Sequence, residues 1–232
     1  MIRRLAFVIL AGVVVIASAA VRIFAVKEVS NEYYFKRNDK NNIALTFDDG
    51  PHPKQTYKIL DILDKYEIKA TFFVVGVNAC NYPEPLKSIA DRGHEIGNHT
   101  FSHKYVKGKD ANTIADDLEL CKSTIYDICG ETTVVFRAPG GLMDEISVSN
   151  AEVFEGYNII YWSIDTMDWA HRSPQEIANH VLSNIKSGDI ILMHDYIGQN
   201  SPTAEALELI IPQLLDRDFH FVTVSDLINQ SN

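Results

Sequence analysis

The apolar run 43–47 ends in two adjacent carboxylates, Asp48 and Asp49, followed at once by Gly50 and Pro51. Successive side chains of a strand point to opposite faces. The doublet therefore either serves two tasks or lends one carboxylate to an Asp-Gly-Pro turn. Farther along, His99 and His103 stand four residues apart, and a single helical turn would bring both imidazoles to one side, as in zinc-binding HxxxH pairs. Two histidines alone are more often surface or capping residues; a third ligand is what makes a site. A catalytic zinc takes three protein ligands and keeps a position for water, and a carboxylate is an acceptable hard donor beside two neutral imidazoles. One aspartate of the doublet can then hold a metal while its neighbour takes a proton, which is the equipment of a hydrolase.

The elements that must position these groups are legible as alternating periods. Apolar runs of strand length occur at 43–47, 70–75, 133–137, 157–164, 189–193 and 219–224, with a shorter one at 95–97. Between them lie helical periods: Ile59, Ile62, Leu63, Tyr66; Ile114, Leu118, Cys121, Ile125; Ile177, Val181, Leu182, Ile185; Leu207, Ile210, Ile211, Leu214. Ser173, Pro174 and Glu176 match a capping box with Pro in the first turn. Repeated strand-helix alternation predicts a parallel sheet covered by helices, either closed into a barrel or doubly wound. In such folds sites lie past the carboxyl ends of the strands. The residues standing there are Asp48 and Asp49, Asn98 with His99 and His103, Arg137, then Asp165, Asp168 and Trp169, and finally His194 and Asp195. Each has a plainer reading: Arg137 as a strand-end ion pair, Trp169 and Leu192 as core, Asp165 and Asp195 as helix caps.

With 232 residues, 46% of them hydrophobic, the chain can bury one substantial core, and a single α/β domain is expected. Its formal charge of -10 argues against nucleic acid as a partner. The amino terminus carries an address: Arg3 and Arg4 precede the uncharged stretch 5–21, and the small residues Ala17, Ser18 and Ala19 suit a signal peptide. The apolar stretch resumes past Arg22, so an uncleaved membrane anchor fits as well, with a buried core helix as the third reading. Residues 1–26 are thus expected to export the rest, 27–41 to act as a polar tether, and 42–232 to form the domain. Removing 1–26, which hold three Arg and no acid, takes the charge from -10 to -13. Cys80, Cys121 and Cys129 are an odd set with no CxxC pair. Cys121 and Cys129 would lie about 12 Å apart on one helix, too far for a bridge unless that helix ends between them.

Five motifs in order carry a family resemblance: Thr46 to Gly50 (TFDDG), His99 to His103 (HTFSH), Arg137 to Gly141 (RAPGG), Asp165 to Trp169 (DTMDW) and Leu192 to His194 (LMH). Over about 42–228 the chain resembles the polysaccharide deacetylases of the NodB-homology type, carbohydrate esterase family 4. The resemblance implies a distorted (β/α)7 barrel with parallel strands, here preceded by the apolar signal or anchor helix, and metal-dependent removal of acetyl groups from a glycan. It implies that Asp49, His99 and His103 hold one divalent metal ion, zinc first with Co2+ or Ni2+ as alternatives. Asp48 would be the general base, kept ionised by Arg137, and His194 the general acid, oriented and charge-stabilised by Asp168. The Gly140 N–H would stabilise the oxyanion, and Trp169 and Leu192 would wall a pocket for the acetyl methyl. One departure stands out. Many relatives carry a bulky residue where this chain has Gly140, so a wall of the groove is expected to be missing. The expected substrate is N-acetylglucosamine of peptidoglycan, processed by an exported monomer that touches membrane only through an uncleaved amino terminus. Chitooligosaccharides, N-acetylmuramic acid, acetylxylan and a non-catalytic glycan-binding role are the alternatives.

Overall fold

A computed structural model describes residues 33–34, 41–143, 151–198 and 201–229, so the apolar segment 1–26 lies outside the described residues. The strands are β1 (Tyr33–Tyr34), β2 (Asn42–Asp48), β3 (Thr71–Val74), β4 (Glu95–Asn98), β5 (Val135–Phe136), β6 (Asn158–Ile160), β7 (Ile164–Asp165), β8 (Ile190–His194) and β9 (His220–Phe221). The helices are α1 (Gln55–Lys65), α2 (Gly76–Asn81), α3 (Pro83–Asp91), α4 (Ala111–Cys129), α5 (Pro174–Asn184), α6 (Thr203–Leu215) and α7 (Val224–Asn229). All strand pairs are parallel, in the order β1-β6-β5-β4-β3-β2-β8-β7, with β9 added to the start of β2.

The predicted helical periods all form helices, and α5 starts at the predicted capping box, where Ser173 accepts from the Glu176 N–H and Glu176 from the Ser173 N–H. Three expectations need correction. Tyr33–Tyr34, inside the segment expected to be a tether, pair with Ile159 and Ile160, so the folded part begins before residue 42. The run 157–164 is not one strand. It breaks at 161–163 because the Arg137 guanidinium takes the carbonyls of Ile160 and Tyr161, while the Ser163 N–H turns to the Ile190 carbonyl. A full barrel is therefore not closed by strand pairing among the described residues: β6 and β7 lie at separate places in the sheet order, and Arg137 occupies the seam.

Alternation along the strands sorts their residues into two rows. On β2, Ile43, Leu45 and Phe47 face outward into a core shared with α1, α5 and α6, and Phe47 stacks on Phe72 at 4.9 Å. Ala44 faces inward to Phe73, Val135, Ile160 and Ile190, where Leu227 and Ile228 of α7 also pack. On β8, Ile190 faces inward while Ile191 and Met193 face outward, so Leu192 and His194 continue the inward row. Burying each large apolar side chain contributes about 1.5–3 kcal/mol, which fixes the strand ends where the polar residues emerge. Cys121 is buried and Cys129 half-buried on α4, Cys80 is exposed, and all three are free.

Candidate active site

Asp48 closes the inward row of β2 above Thr46. Its neighbour should face the other way, but Asp49 adopts a left-handed backbone, φ 76°, and turns back toward the same side. Gly50 is required just beyond. A Cβ there would fall 2.1 Å from a carboxylate oxygen of Asp195, which is buried and accepts from the Thr56 hydroxyl at 2.5 Å. Burial pushes the Asp195 carboxyl up to about 7. One backbone reversal thus brings both carboxylates of the doublet to the same cavity.

The His99 and His103 pair also meets, but not through a helix. Residues 99–103 form a loop in which Thr100 (φ 65°) and His103 (φ 54°) are left-handed. The Asn98 side chain holds the loop by accepting from the Thr100 N–H at 2.8 Å and donating to the Leu118 carbonyl and the Tyr157 hydroxyl, each at 2.9 Å. The Thr100 hydroxyl accepts from the His103 N–H at 3.0 Å. The helical reading is replaced by a loop because the polar side chains of Asn98 and Thr100 capture the backbone donors. Nε2 of His103 lies 2.9 Å and Nε2 of His99 3.3 Å from Oδ1 of Asp49. Burial works to raise the Asp49 carboxyl, yet the bonds from His103 and His99 hold it well below the usual carboxylate range. The Asp49 hydrogen bond in turn raises His103.

Arg137 leaves β5 fully buried and donates to Asp48 Oδ1 at 2.7 Å and to the Thr46 hydroxyl at 2.8 Å, its guanidinium lying 4.2 Å from the Phe73 ring centroid. Burial lowers its pKa, against the charge and hydrogen bond of Asp48. Opposite, a 3-10 turn at Asp168–Ala170 entered through left-handed Met167 carries Asp168 under the end of β8. Asp168 accepts from His194 Nδ1 at 2.7 Å, from the His194 N–H at 2.8 Å and from the Thr203 hydroxyl at 2.7 Å. Burial opposes the charged imidazole, but the hydrogen bond and charge of Asp168, helped by Asp48 and Asp49, push His194 up to about 9.

Eight of the ten residues to which the family resemblance gives a role, Asp48, Asp49, His99, His103, Gly140, Trp169, Leu192 and His194, line one cavity of about 510 Å³. The other two, Arg137 and Asp168, are buried behind it and bonded to lining residues. The model of the family described as "Polysaccharide deacetylase" matches residues 35–159.

The chain belongs to the polysaccharide deacetylase family.

Among its relatives, a peptidoglycan-N-acetylglucosamine deacetylase of Bacillus cereus is 38% identical over 193 residues, spanning 82% of this chain and 90% of that protein. The crystal structure of a peptidoglycan N-acetylglucosamine deacetylase in complex with an N-oxidanyl-benzamide superposes with a TM-score of 0.79 at 34% identity, covering 85% of this chain and 92% of that one. A family 4 acetyl xylan esterase from Clostridium thermocellum, solved with a cobalt ion, gives 0.76 at 32% identity, covering 82% and 91%.

The donor atoms of this polysaccharide deacetylase suit a divalent ion on their own chemistry. One carboxylate oxygen and two imidazole nitrogens from Asp49, His99 and His103 lie within 4.8 Å of one another. His99 donates through Nδ1 to the Arg137 carbonyl at 2.7 Å, which in the neutral imidazole makes Nε2 the atom available to bind a metal. The missing wall is a second correction. A Cβ on Gly140 would stand 3.0 Å from the Tyr105 ring, and one on Gly141 2.5 Å from the Trp162 ring. Tyr105 and Trp162 both line the cavity, so the glycine pair makes room for two aromatic walls supplied from elsewhere. No sequence rule singles out these two, since Tyr105 sits in a polar loop and Trp162 inside an apparent strand. Only the double glycine hinted that large neighbours approach there. Asp165 also lines the cavity. Trp169 is 55% exposed, which removes the core reading for it.

Proposed function

We propose that this family member is a metal-dependent hydrolase that removes the N-acetyl group from N-acetylglucosamine of peptidoglycan. The observation that carries the reading is the convergence on one cavity of a three-donor cluster, a carboxylate paired to a buried guanidinium, and an imidazole paired to a buried carboxylate. A divalent ion held by Asp49, His99 and His103, zinc in the first instance, would polarise the acetyl carbonyl and acidify a water molecule. Asp48, anchored through Oδ1 to Arg137, takes the water's proton with its other oxygen. His194 carries a proton on Nε2 while Asp168 holds Nδ1, so it protonates the departing amine. Gly140 offers its N–H to the oxyanion, and Leu192 and Trp169 shelter the methyl group. The substrate assignment draws on the peptidoglycan deacetylases among the relatives. Export through residues 1–26 draws on the basic head and uncharged stretch of the sequence.

The deciding experiment is acetate release by the full-length chain from peptidoglycan fragments, chitooligosaccharides and acetylxylan, before and after chelation and zinc re-addition. Release from peptidoglycan that disappears on chelation and returns with zinc is expected. Release that survives complete metal removal would rule out the metal-dependent reading.

The acid's role fixes the pH response. His194 donates only in its protonated form, which persists up to about 9, so turnover should fall as pH rises through that value. His194→Ala should lower turnover about 10²–10⁴-fold with metal retained and the alkaline limb abolished. An unchanged limb in that variant would assign the titration, and the acid, to another group.

A further inference from the structure

Between His103 and α4 the chain carries Lys104, Lys107 and Lys109, all exposed, in a protein of net charge -10. The three make no ion pair among the described residues, whereas Lys65, Lys87 and Arg92 are each paired with carboxylates. With His103 and Tyr105 they border a cavity of about 480 Å³. His103 and Tyr105 also line the catalytic cavity, so the two spaces share a wall. Two carboxylates of α4 and its cap are already engaged. Asp110 accepts from the Thr113 N–H and hydroxyl at 3.0 and 2.6 Å, and Asp117 from the Ser102 N–H and hydroxyl at 3.2 and 3.1 Å. The Tyr105 ring is 59% exposed between them, a flat apolar face of the kind on which a sugar ring stacks.

We propose that this lysine loop is a subsite for a carboxylate carried by the sugar next to the one deacetylated. The inference rests on the peptidoglycan reading, because peptidoglycan alternates N-acetylglucosamine with a sugar bearing a lactyl carboxylate or a peptide with carboxylates of its own. A glycan whose acetamide reaches the Asp49, His99 and His103 cluster extends past Tyr105 toward the three ammonium groups. Unpaired lysines at a rim raise encounter and discrimination rather than chemistry.

The test compares the full-length chain with the triple variants Lys104→Ser, Lys107→Ser, Lys109→Ser and Lys104→Arg, Lys107→Arg, Lys109→Arg. Each is assayed on neutral chitooligosaccharides, peptide-free peptidoglycan glycan and peptide-bearing fragments. The serine variant should raise KM about tenfold on a carboxylate-bearing glycan, leave kcat within twofold, and leave chitooligosaccharide kinetics unchanged; the arginine variant should restore KM. A rise confined to the peptide-bearing fragments assigns the carboxylate to the peptide, and a rise confined to the peptide-free glycan assigns it to the lactyl group, which is an amide in the peptide-bearing fragments; a rise on both means that the lysines accept either carboxylate. Equal KM values for the wild type and the serine variant on every glycan, with peptidoglycan still deacetylated, would overturn the subsite alone. A wild-type chain that deacetylates only neutral glycans would overturn the peptidoglycan reading and the subsite together.

Discussion

Asp48→Asn is expected to lower turnover about 10²–10⁴-fold, the usual contribution of a positioned general base, while metal occupancy stays that of the wild type. The separation follows from the backbone reversal at Asp49, which leaves Asp48, the proposed base, outside the three-donor cluster. An amide oxygen can still accept from Arg137, so the 2.7 Å contact and the fold around it should persist. Turnover and bound metal, measured on one preparation, check this. Wild-type turnover would remove Asp48 from the chemistry, and lost metal would move it into the donor cluster.

Arg137→Met should cost about 3–5 kcal/mol of stability, the range for breaking a buried ion pair by deleting one partner. Asp48 is only 4% exposed and would lose its counter-charge. The Ile160 and Tyr161 carbonyls and the Thr46 hydroxyl would lose a donor at the same time. Methionine keeps much of the volume beside Phe73, so the loss reports charge and hydrogen bonds more than a cavity. The urea midpoint of the variant measures it. A change below about 1 kcal/mol would mean that the β6 and β7 seam is held by other contacts.

The order of elements and most of the candidate site were readable because most of the candidate residues stand at or just past the end of an apolar run, even where, as at 157–164, the run itself breaks into two strands. Asp48 ends such a run, and Leu192 and His194 sit two residues apart on another, so alternation alone places them inward. The remaining features depend on tertiary contacts. Four-residue spacing suggested a helical pair for His99 and His103, but Asn98 and Thr100 bind the local backbone and produce a loop with the same result. The break at 161–163 needs a guanidinium that arrives from another strand. Thr203 supports Asp168 from 35 residues away, and Tyr105 fills the space over Gly140 from a separate loop. Neither placement leaves a local pattern in the chain.

Asp49, Thr100 and His103 share a feature with a longer reach: all three are non-glycine residues with positive φ. Such a backbone costs of order 1–3 kcal/mol per residue, and glycine or asparagine would adopt it more easily. Mutations at these positions that help the chain fold are therefore the ones that remove a donor or loosen the loop presenting it. Drift under selection for thermal robustness alone would carry the protein toward a sturdier, inactive descendant. The acetyl-releasing lineage persists only where the need for activity outweighs that pull.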